Sequence, residues 1–569
     1  MKSHLAFARV PLRTIAALSV CVNLLLLVPV LFMMQVFDRV LTSGSTATLV
    51  ALSIGAAVAL GLMLLLDYLR SRLQGVAGTM LGESLLPSVA RHVLAEGARS
   101  GRPTPTESLR DVATLRNLFS SPALLAVFDA PWLVVYVLVI GFIHPLLGLT
   151  AAIAAFAMFA IAVLNDRLNR KGIEALQRDA SASQRALESS MQNAEVAEAM
   201  GMSGALLARW QRMNARVLDL QAPTARRTVA MTATARTLRQ SVQVLMLAVG
   251  AWLVITKSAS PGVMIAATIL LSRALAPVEQ VVGGWKLLAE GRAAHGRLQG
   301  LFGEIEAAGT PMSLPAPRGI VSVSGVVWNP PGSERLILAG VGFELAAGGS
   351  LAVIGPSGAG KSTLIRLLAG LWKPRVGSVR LDAVEVSTWP RDELGPHIGY
   401  VPQDVELFDA TVAENIARLG EVDSEAVVAA ARAAGIHEMV LALPQGYDTR
   451  VERGAALLSP GQRQRIALAR ALYGQPRVLL LDEPNANLDG AGEQALGEAL
   501  AALRGRVTVV IVTHRTTLLQ NVDKLMMLEN GRVKHFGPVN EVLHAMRQGT
   551  GQVVAMPRHA VAHGGEIGR

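Results

Sequence analysis

The sequence predicts two unlike parts: an all-α transmembrane domain of six helices, then an α/β domain of the P-loop type. Three observations predict this. Apolar runs fill the first half of the chain, at roughly 15–36, 47–66, 122–143, 145–164, 242–257 and 262–281, and each approaches the ~20 residues that cross a bilayer's hydrocarbon core. A glycine-rich G-x-x-x-x-G-K-S string occupies 355–362, between a strand pattern and a helix pattern. Charged residues are only 17% of the chain and mean hydropathy is +0.40, whereas a soluble chain is usually nearer a quarter charged.

The crossings come first. The third and fourth meet at His144-Pro145, and the fifth is short. Six such runs buried in one soluble domain would need an implausibly large core. The segments 67–121 and 165–241 are long and arginine-rich, with Arg70, Arg72, Arg91, Arg99, Arg102, Arg110 and Arg116 in the first. The second carries Arg167, Arg170, Lys171, Arg209, Arg212, Arg216, Arg226 and Arg227. Other connections, such as Lys257-Ser258-Ala259-Ser260, are short and nearly uncharged. The positive-inside rule therefore puts both long segments and the N-terminus (Lys2, Arg9, Arg13) on the cytoplasmic side, and the P-loop domain follows the sixth crossing there. A secretory signal peptide over 1–36 fits less well, because the apolar run is too long and no small-residue cleavage site precedes a soluble domain.

Net charge of +10 and a pI near 10.1 are explained by membrane-proximal arginines facing anionic lipid. Aromatics are 4% of the chain and no aromatic–basic nucleic-acid motif stands out, so nucleic acid is not an expected partner. The single cysteine, Cys21, excludes an intrachain disulfide.

The P-loop string reads Gly355-Pro356-Ser357-Gly358-Ala359-Gly360-Lys361-Ser362-Thr363, after the apolar run Leu351 to Ile354. Glycines there let the backbone turn tightly and aim N–H groups at phosphate oxygens. Lys361 adds positive charge, and Ser362 a hydroxyl ligand for Mg²⁺. Gln403, in Tyr400-Val401-Pro402-Gln403-Asp404, is placed to reach the Mg²⁺ and an attacking water. Asp482 closes the hydrophobic strand Val478 to Leu481 as a metal-site carboxylate, and Glu483 stands where a general base would polarise that water. Asn487-Leu488-Asp489 follows as a turn at the nucleotide edge. His514, after the strand 507–512, can touch the γ-phosphate. Alone, Gln403 or His514 reads as structural at least as readily; the ordered set does not.

Leu458-Ser459-Pro460-Gly461-Gln462 lies about twenty residues before Val478. With it, residues 319–545 resemble the nucleotide-binding domain of ABC transporters, with ATP and Mg²⁺ as the implied cofactors. The resemblance implies that Ser459, Gly461 and Gln462 grip an ATP held by another copy of the domain, hence a homodimer. The family signature reads LSGGQ. Pro460 replaces its first glycine and removes one backbone N–H; Ser459 and the Gly461 amide remain. An adenine-stacking aromatic is expected near the start of the domain, and Trp328 is the candidate. Its other reading is a strand residue covering the core.

In the first half, Phe128-Asp129-Ala130-Pro131-Trp132, Tyr136 and Phe142-Ile143-His144-Pro145-Leu146-Leu147-Gly148 resemble the membrane domain of type I secretion ATPases. So do Asn193 to Met202 and Arg273-Ala274-Leu275-Ala276-Pro277-Val278-Glu279-Gln280, with Trp285 after it. The whole chain then looks like an ABC exporter half-transporter of the alkaline-protease-exporter branch, which begins directly with the membrane domain. The resemblance implies a homodimeric, multi-pass exporter of the bacterial inner membrane, with its ATPase domain cytoplasmic. It implies a periplasmic adaptor (membrane fusion protein), an outer-membrane duct, and an unfolded secreted polypeptide with a C-terminal signal. An exporter of lipid, glycan or a small amphiphile with the same architecture is the alternative.

Asp129 and Arg273 fall inside expected crossings. A charge at mid-bilayer costs roughly 2.5–3.5 kcal/mol on the gentler insertion scale, so both should face a water-filled path or another helix. Asp129 at the cytoplasmic interface is an equal reading, and Glu279, near the end of its crossing, reads as solvated. Residues 1–285 are the expected membrane domain, with helical extensions over 67–121 and 165–241. A turn at Met200-Gly201-Met202-Ser203-Gly204 is either a docking element for the ATPase surface or a kink in one long helix. Residues 286–318, ending in Pro311, Pro315 and Pro317, read as a linker. Residues 546–569 read as a disordered tail whose His559 and His563 are solvated.

Overall fold

The computed structural model describes residues 2–100, 107–307, 313–451 and 458–548, so the expected tail falls, from residue 549 on, outside the described residues. The chain divides into two compact units, Met1–Gly309 and Thr310–Arg569.

The first unit is helical. Helices α1 (Lys2–Leu25) and α2 (Leu27–Gln35) run into a π turn, Val36–Val40. Then follow α3 (Thr46–Ser100), α4 (Glu107–Phe119), α5 (Pro122–Asp129), α6 (Trp132–Ile143), α7 (Pro145–Gln192), α8 (Ala194–Ala199), α9 (Ser203–Ile255), α10 (Pro261–Gly283) and α11 (Trp285–Ala307). Among the described residues five helical runs have the length and composition to cross a membrane, and the pair α5–α6, bent by 43°, makes a sixth if taken as one span. Prolines set several starts, since the missing N–H at a first helical position leaves no bond unmade. Pro145 follows His144, whose side chain caps Leu146 N, and Pro261 follows Ser260, which caps Val263 N. At 1.5 Å per residue the 48- to 55-residue helices α3, α7 and α9 reach roughly 70–80 Å. That is more than twice the hydrocarbon thickness of about 30 Å, which accounts for long arms beyond the membrane. Helix α10 is the bundle's centre, with Leu270, Leu271, Ala274 and Leu275 all fully buried.

Two expectations change, for the linker and for Glu279, and two open readings are decided. The linker expected over 286–318 is a helix, α11, as far as Ala307. Ala294, Leu298 and Phe302 recur every four residues and pack with Leu81, Leu85, Val89, Val112 and Leu115, while Arg297 grips the buried Asp111 at 2.6 and 2.8 Å. The prolines that suggested a linker begin only at Pro311. Asp129 faces other helices, as one of its two readings had it: Arg70 Nη1 lies 3.0 Å from both of its oxygens, and Asn23 Nδ2 donates to it at 2.8 Å. Glu279 is also paired, 2.7 Å from Arg239 and 3.5 Å from Arg236. At Met200–Ser203 the chain makes a real elbow: α8 is a separate short helix between α7 and α9, with Val196, Met200 and Met202 exposed.

The second unit holds two main sheets. Strands β1 (Val321–Trp328), β2 (Leu338–Leu345), β4 (Val376–Leu381) and β5 (Val384–Glu385) form an antiparallel sheet in the order β2-β1-β4-β5. The larger sheet contains β3 (Ser350–Ile354), β6 (Ile398–Val401), β7 (Val478–Asp482), β8 (Thr508–Val512), β9 (Lys524–Glu529) and β10 (Arg532–Pro538). Its order is β10-β9-β3-β8-β7-β6, parallel except at β10. Continuous apolar runs such as Val478–Leu481 and Val509–Val512 suit parallel strands covered on both faces, and these residues are buried. The carboxyl ends of β3, β6, β7 and β8 therefore open side by side, where open α/β sheets gather ligands.

Candidate functional site

The loop after β3 turns into α12 (Lys361–Leu368), whose first N–H groups and dipole make an anion site. Gly360 has φ +99°, and a Cβ there would lie 2.6 Å from Leu338 Cδ2, so the residue must be glycine for both reasons. Lys361 Nζ donates to the carbonyls of Gly355 (2.8 Å) and Pro356 (3.0 Å). Burial pulls its pKa below the ordinary lysine value, against the pull of Glu483 and Asp482.

Asp482 ends β7 almost fully buried, and Ser362 Oγ donates to it at 3.2 Å. Burial pushes its carboxyl above the usual aspartate value; the Ser362 hydrogen bond, Arg366 and Lys361 oppose this, and Glu483 adds to it. A buried carboxylate beside a serine hydroxyl and a nearby glutamine amide is the hard-oxygen set that suits Mg²⁺.

Glu483 follows with φ +50°, a left-handed conformation that costs a non-glycine residue of order 1–3 kcal/mol and persists only where neighbours impose it. They do: Glu483 N donates to Val512 O (3.0 Å) and its carbonyl accepts from Gln464 Nε2 (3.0 Å). The carboxylate meets Gln403 Nε2 at 3.4 Å on one oxygen and His514 Nε2 at 3.3 Å on the other. Lys361, Ser362, Gln403, Asp482, Glu483 and His514 are thus linked in one cluster.

The signature residues start a different helix, α13 (Pro460–Leu472). Ser459 is its N-cap: Ser459 Oγ accepts from Gln462 N (3.2 Å) while Ser459 N donates to Gln462 Oε1 (2.8 Å), a capping box. Pro460 takes the first helical position, where its fixed φ is favourable. Gly461 packs so tightly that a Cβ would lie 2.5 Å from Asn487 O. Asp489 caps helix α14 (Gly490–Leu503) through Gly492 N and pairs with Arg465 at 3.2 Å.

Trp328 does not join the cluster. It is 8% exposed in the core between β1 and β2, and Trp372 lies flat on its ring, 4.3 Å away at 1°. With one face covered and little surface left, it sits in this structure as a core residue. Sequence reasoning missed Gln464, which bridges the Glu483 carbonyl and Asn487 N (3.1 Å). Its signal was available: Gln464 lies with Ala467, Leu468 and Ala471 on the buried face of α13, a polar residue on an apolar stripe. It also missed Arg366, which sits over Trp372 at 4.9 Å and works against the burial that raises the pKa of Tyr400, the strand residue three before Gln403.

A P-loop and a strand-end carboxylate pair on such a sheet, behind a bundle of membrane-crossing helices, define an ABC-type ATPase joined to its own transmembrane region. Known proteins agree on both halves. Residues 12–278 match the ABC transporter transmembrane region and 338–486 the ABC transporter ATPase domain. The chain is 41% identical to the type I secretion system ATP-binding protein PrsD of Rhizobium meliloti, over 92% of this chain and 91% of that one. It is 27% identical to the leukotoxin export ATP-binding protein LtxB of Aggregatibacter actinomycetemcomitans, over 92% of this chain and 75% of the relative. A bacterial Atm1-family ABC exporter with ATP bound has the same fold, with a TM-score of 0.80, 22% identity and coverage of 97% and 99%. The chain belongs to the ABC transporters, and within them to the ATP-binding proteins of type I secretion.

Proposed function

We propose that this chain is the ATP-hydrolysing inner-membrane component of a type I secretion system, exporting unfolded polypeptide. The observation that carries the reading is its 41% identity to a type I secretion ATP-binding protein through membrane and ATPase halves alike. In this reading the chain is a homodimer. It works with a periplasmic adaptor and an outer-membrane duct, and its cargo bears a C-terminal signal.

The site then works as follows. The 355–363 loop and Lys361 hold the ATP phosphates. Ser362, Asp482 and Gln403 would hold Mg²⁺, which neutralises phosphate charge when bound. Glu483, fixed by its backbone bonds and flanked by Gln403 and His514, takes the proton of the attacking water. Ser459 and Gly461 of the second copy close over the γ-phosphate, so binding favours the closed dimer and hydrolysis releases it. Nucleotide drives the change only through this differential affinity.

Mixing Lys361→Ala and Ser459→Arg chains tests the composite site. Each mixed dimer retains at most one working site, and full activity in the mixture would refute the model. Crosslinking in cells that express adaptor and duct tests the export reading. ATPase stimulation by lipids or amphiphiles, with none by a cargo's C-terminal segment, would move it to the alternative.

A further inference from the structure

The polar groups in the membrane bundle fall into two sets, and one of them has a member without a partner. Asp129 and Arg70 satisfy each other. Arg273 does not: among the described residues it has no hydrogen bond or ion pair, and it is exposed although its neighbours Ala274 and Leu275 are fully buried. It lies twelve residues from Pro261, about 18 Å along α10, past the middle of a hydrocarbon core about 30 Å thick.

Helix α10 is wrapped by α2, α5, α6, α7 and α9. Beyond its first turn, what its own protomer leaves exposed is Arg273, Gln280 and Gly283, which share one helical face, a narrow stripe, with the half-buried Ala276. The stripe is polar and small-sided. By contrast, the exposed membrane stretch of α3 is Val50, Ile54, Val58, Leu62 and Leu65, a surface made for lipid. An arginine at this depth facing acyl chains would be heavily penalised, so the stripe faces water.

The charge around it is mostly positive: Asp129, which like Arg273 acts on Tyr136, is already held by Arg70. Two turns further on, Glu279 is held by both Arg236 and Arg239, and Arg239 also donates to Ser272 at 3.3 Å. This layer of α9 and α10 thus holds three arginines against one glutamate. A second copy laid against the stripe about a twofold axis would face Arg273 with Arg273, like against like, which opposes dry closure. The ligand that suits a wet, unpaired guanidinium is a carboxylate, for which Arg offers paired donors.

We propose that Arg273 lines the translocation path in the cytoplasmic half of the membrane and binds carboxylate side chains of an extended polypeptide in transit. This rests on the polypeptide-export reading. Two arms on full-length protein in nanodiscs test it. In the first, Arg273→Cys is placed in a Cys21→Ser chain and challenged with a charged, water-soluble thiol reagent; Leu64→Cys on α3 is the lipid-facing control. Position 273 reacts and position 64 takes only a membrane-soluble maleimide. Labelling of 273 by the membrane-soluble reagent alone, or spontaneous 273–273 crosslinking in all nucleotide states, overturns the proposal in favour of lipid or of a second copy.

In the second arm a fluorescent unstructured peptide carrying several Asp residues is compared with its Asn counterpart. Arg273→Gln weakens the acidic peptide roughly tenfold, as befits one charge-assisted contact. The Asn peptide is unchanged, Arg273→Lys recovers part of the loss, and basal ATPase stays at the wild-type rate. Equal loss for both peptides overturns the carboxylate role alone. Binding of neither peptide by the wild-type chain counts against polypeptide as the cargo, and against this proposal with it.

Discussion

Asp482 and Glu483 find their partners at the ends of adjacent parallel strands, whereas Asp129 draws Arg70, Asn23 and, through Asn23, Tyr136 from three other membrane helices. The ATPase cluster is exposed enough to admit substrate: His514 is 54% and Glu483 24% exposed at the side chain. The membrane cluster is closed, with the Arg70 side chain 9% and Asp129 17% exposed. The first holds its charges ready for a ligand; the second uses them up on each other. A carboxylate with spare acceptor capacity and a route to water is a working group, and one saturated by a buried arginine holds helices together.

The strongest break of this comparison is Glu483→Gln. It should slow phosphate release roughly 10²–10⁴-fold, leave ATP binding intact and trap a closed dimer; unchanged turnover in a phosphate-release assay would remove the general-base role. The matching change in the membrane acts on stability. Arg70→Ala strands the largely covered Asp129 carboxylate and should cost about 3 kcal/mol, while Arg70→Met with Asp129→Leu should cost less, because the only carboxylate then left without its arginine is the exposed Asp67. Thermal unfolding of the singles and the double in detergent forms the cycle, and strict additivity would mean the pair is not a unit.

Third, Asp482 holds its proton above the usual aspartate range, chiefly through burial. As pH falls through that raised value the carboxylate is lost, so proton and Mg²⁺ compete for it. The Mg²⁺ concentration that half-saturates ATPase activity should rise as pH falls through that raised value, by up to about tenfold per pH unit below it; a requirement that does not differ between the wild-type chain and Asp482→Asn over the acidic range would take Asp482 out of the metal site. The smallest effect concerns the signature. Pro460→Gly restores an N–H at a position that α13 does not need bonded, so ATPase should change by less than about threefold, under 1 kcal/mol, while the helix loses a few tenths of a kcal/mol of stability.

Much of the ATPase domain was legible because its parts are local. A strand, a glycine loop and a helix follow one another over 350–368, and the strand runs ending at Asp482 and Val512 are apolar throughout. The crossings were legible for a similar reason, since bilayer thickness fixes the length of an apolar run. Trp328 was not. An aromatic at the end of a strand looks the same whether its ring faces a base or a neighbour, and Trp372, 44 positions away in the chain, covers it. The helix α11 was masked by its glycines and by the prolines that follow; its stability comes from packing on α3 and α4 rather than from its own composition.

By itself, the sequence determined the order of membrane and ATPase parts, the number of crossings, the family, and which side chains are candidates for phosphate, metal and water. Each depends on spacing within one segment or on total apolar length. The tertiary structure decided which charges are spent and which are free. Asp129 and Glu279 are paired, Arg273 among the described residues is not, and Glu483 stands at φ +50° between Gln403 and His514. Pairing across helices and strands depends on which faces meet, and that is fixed only when the chain packs.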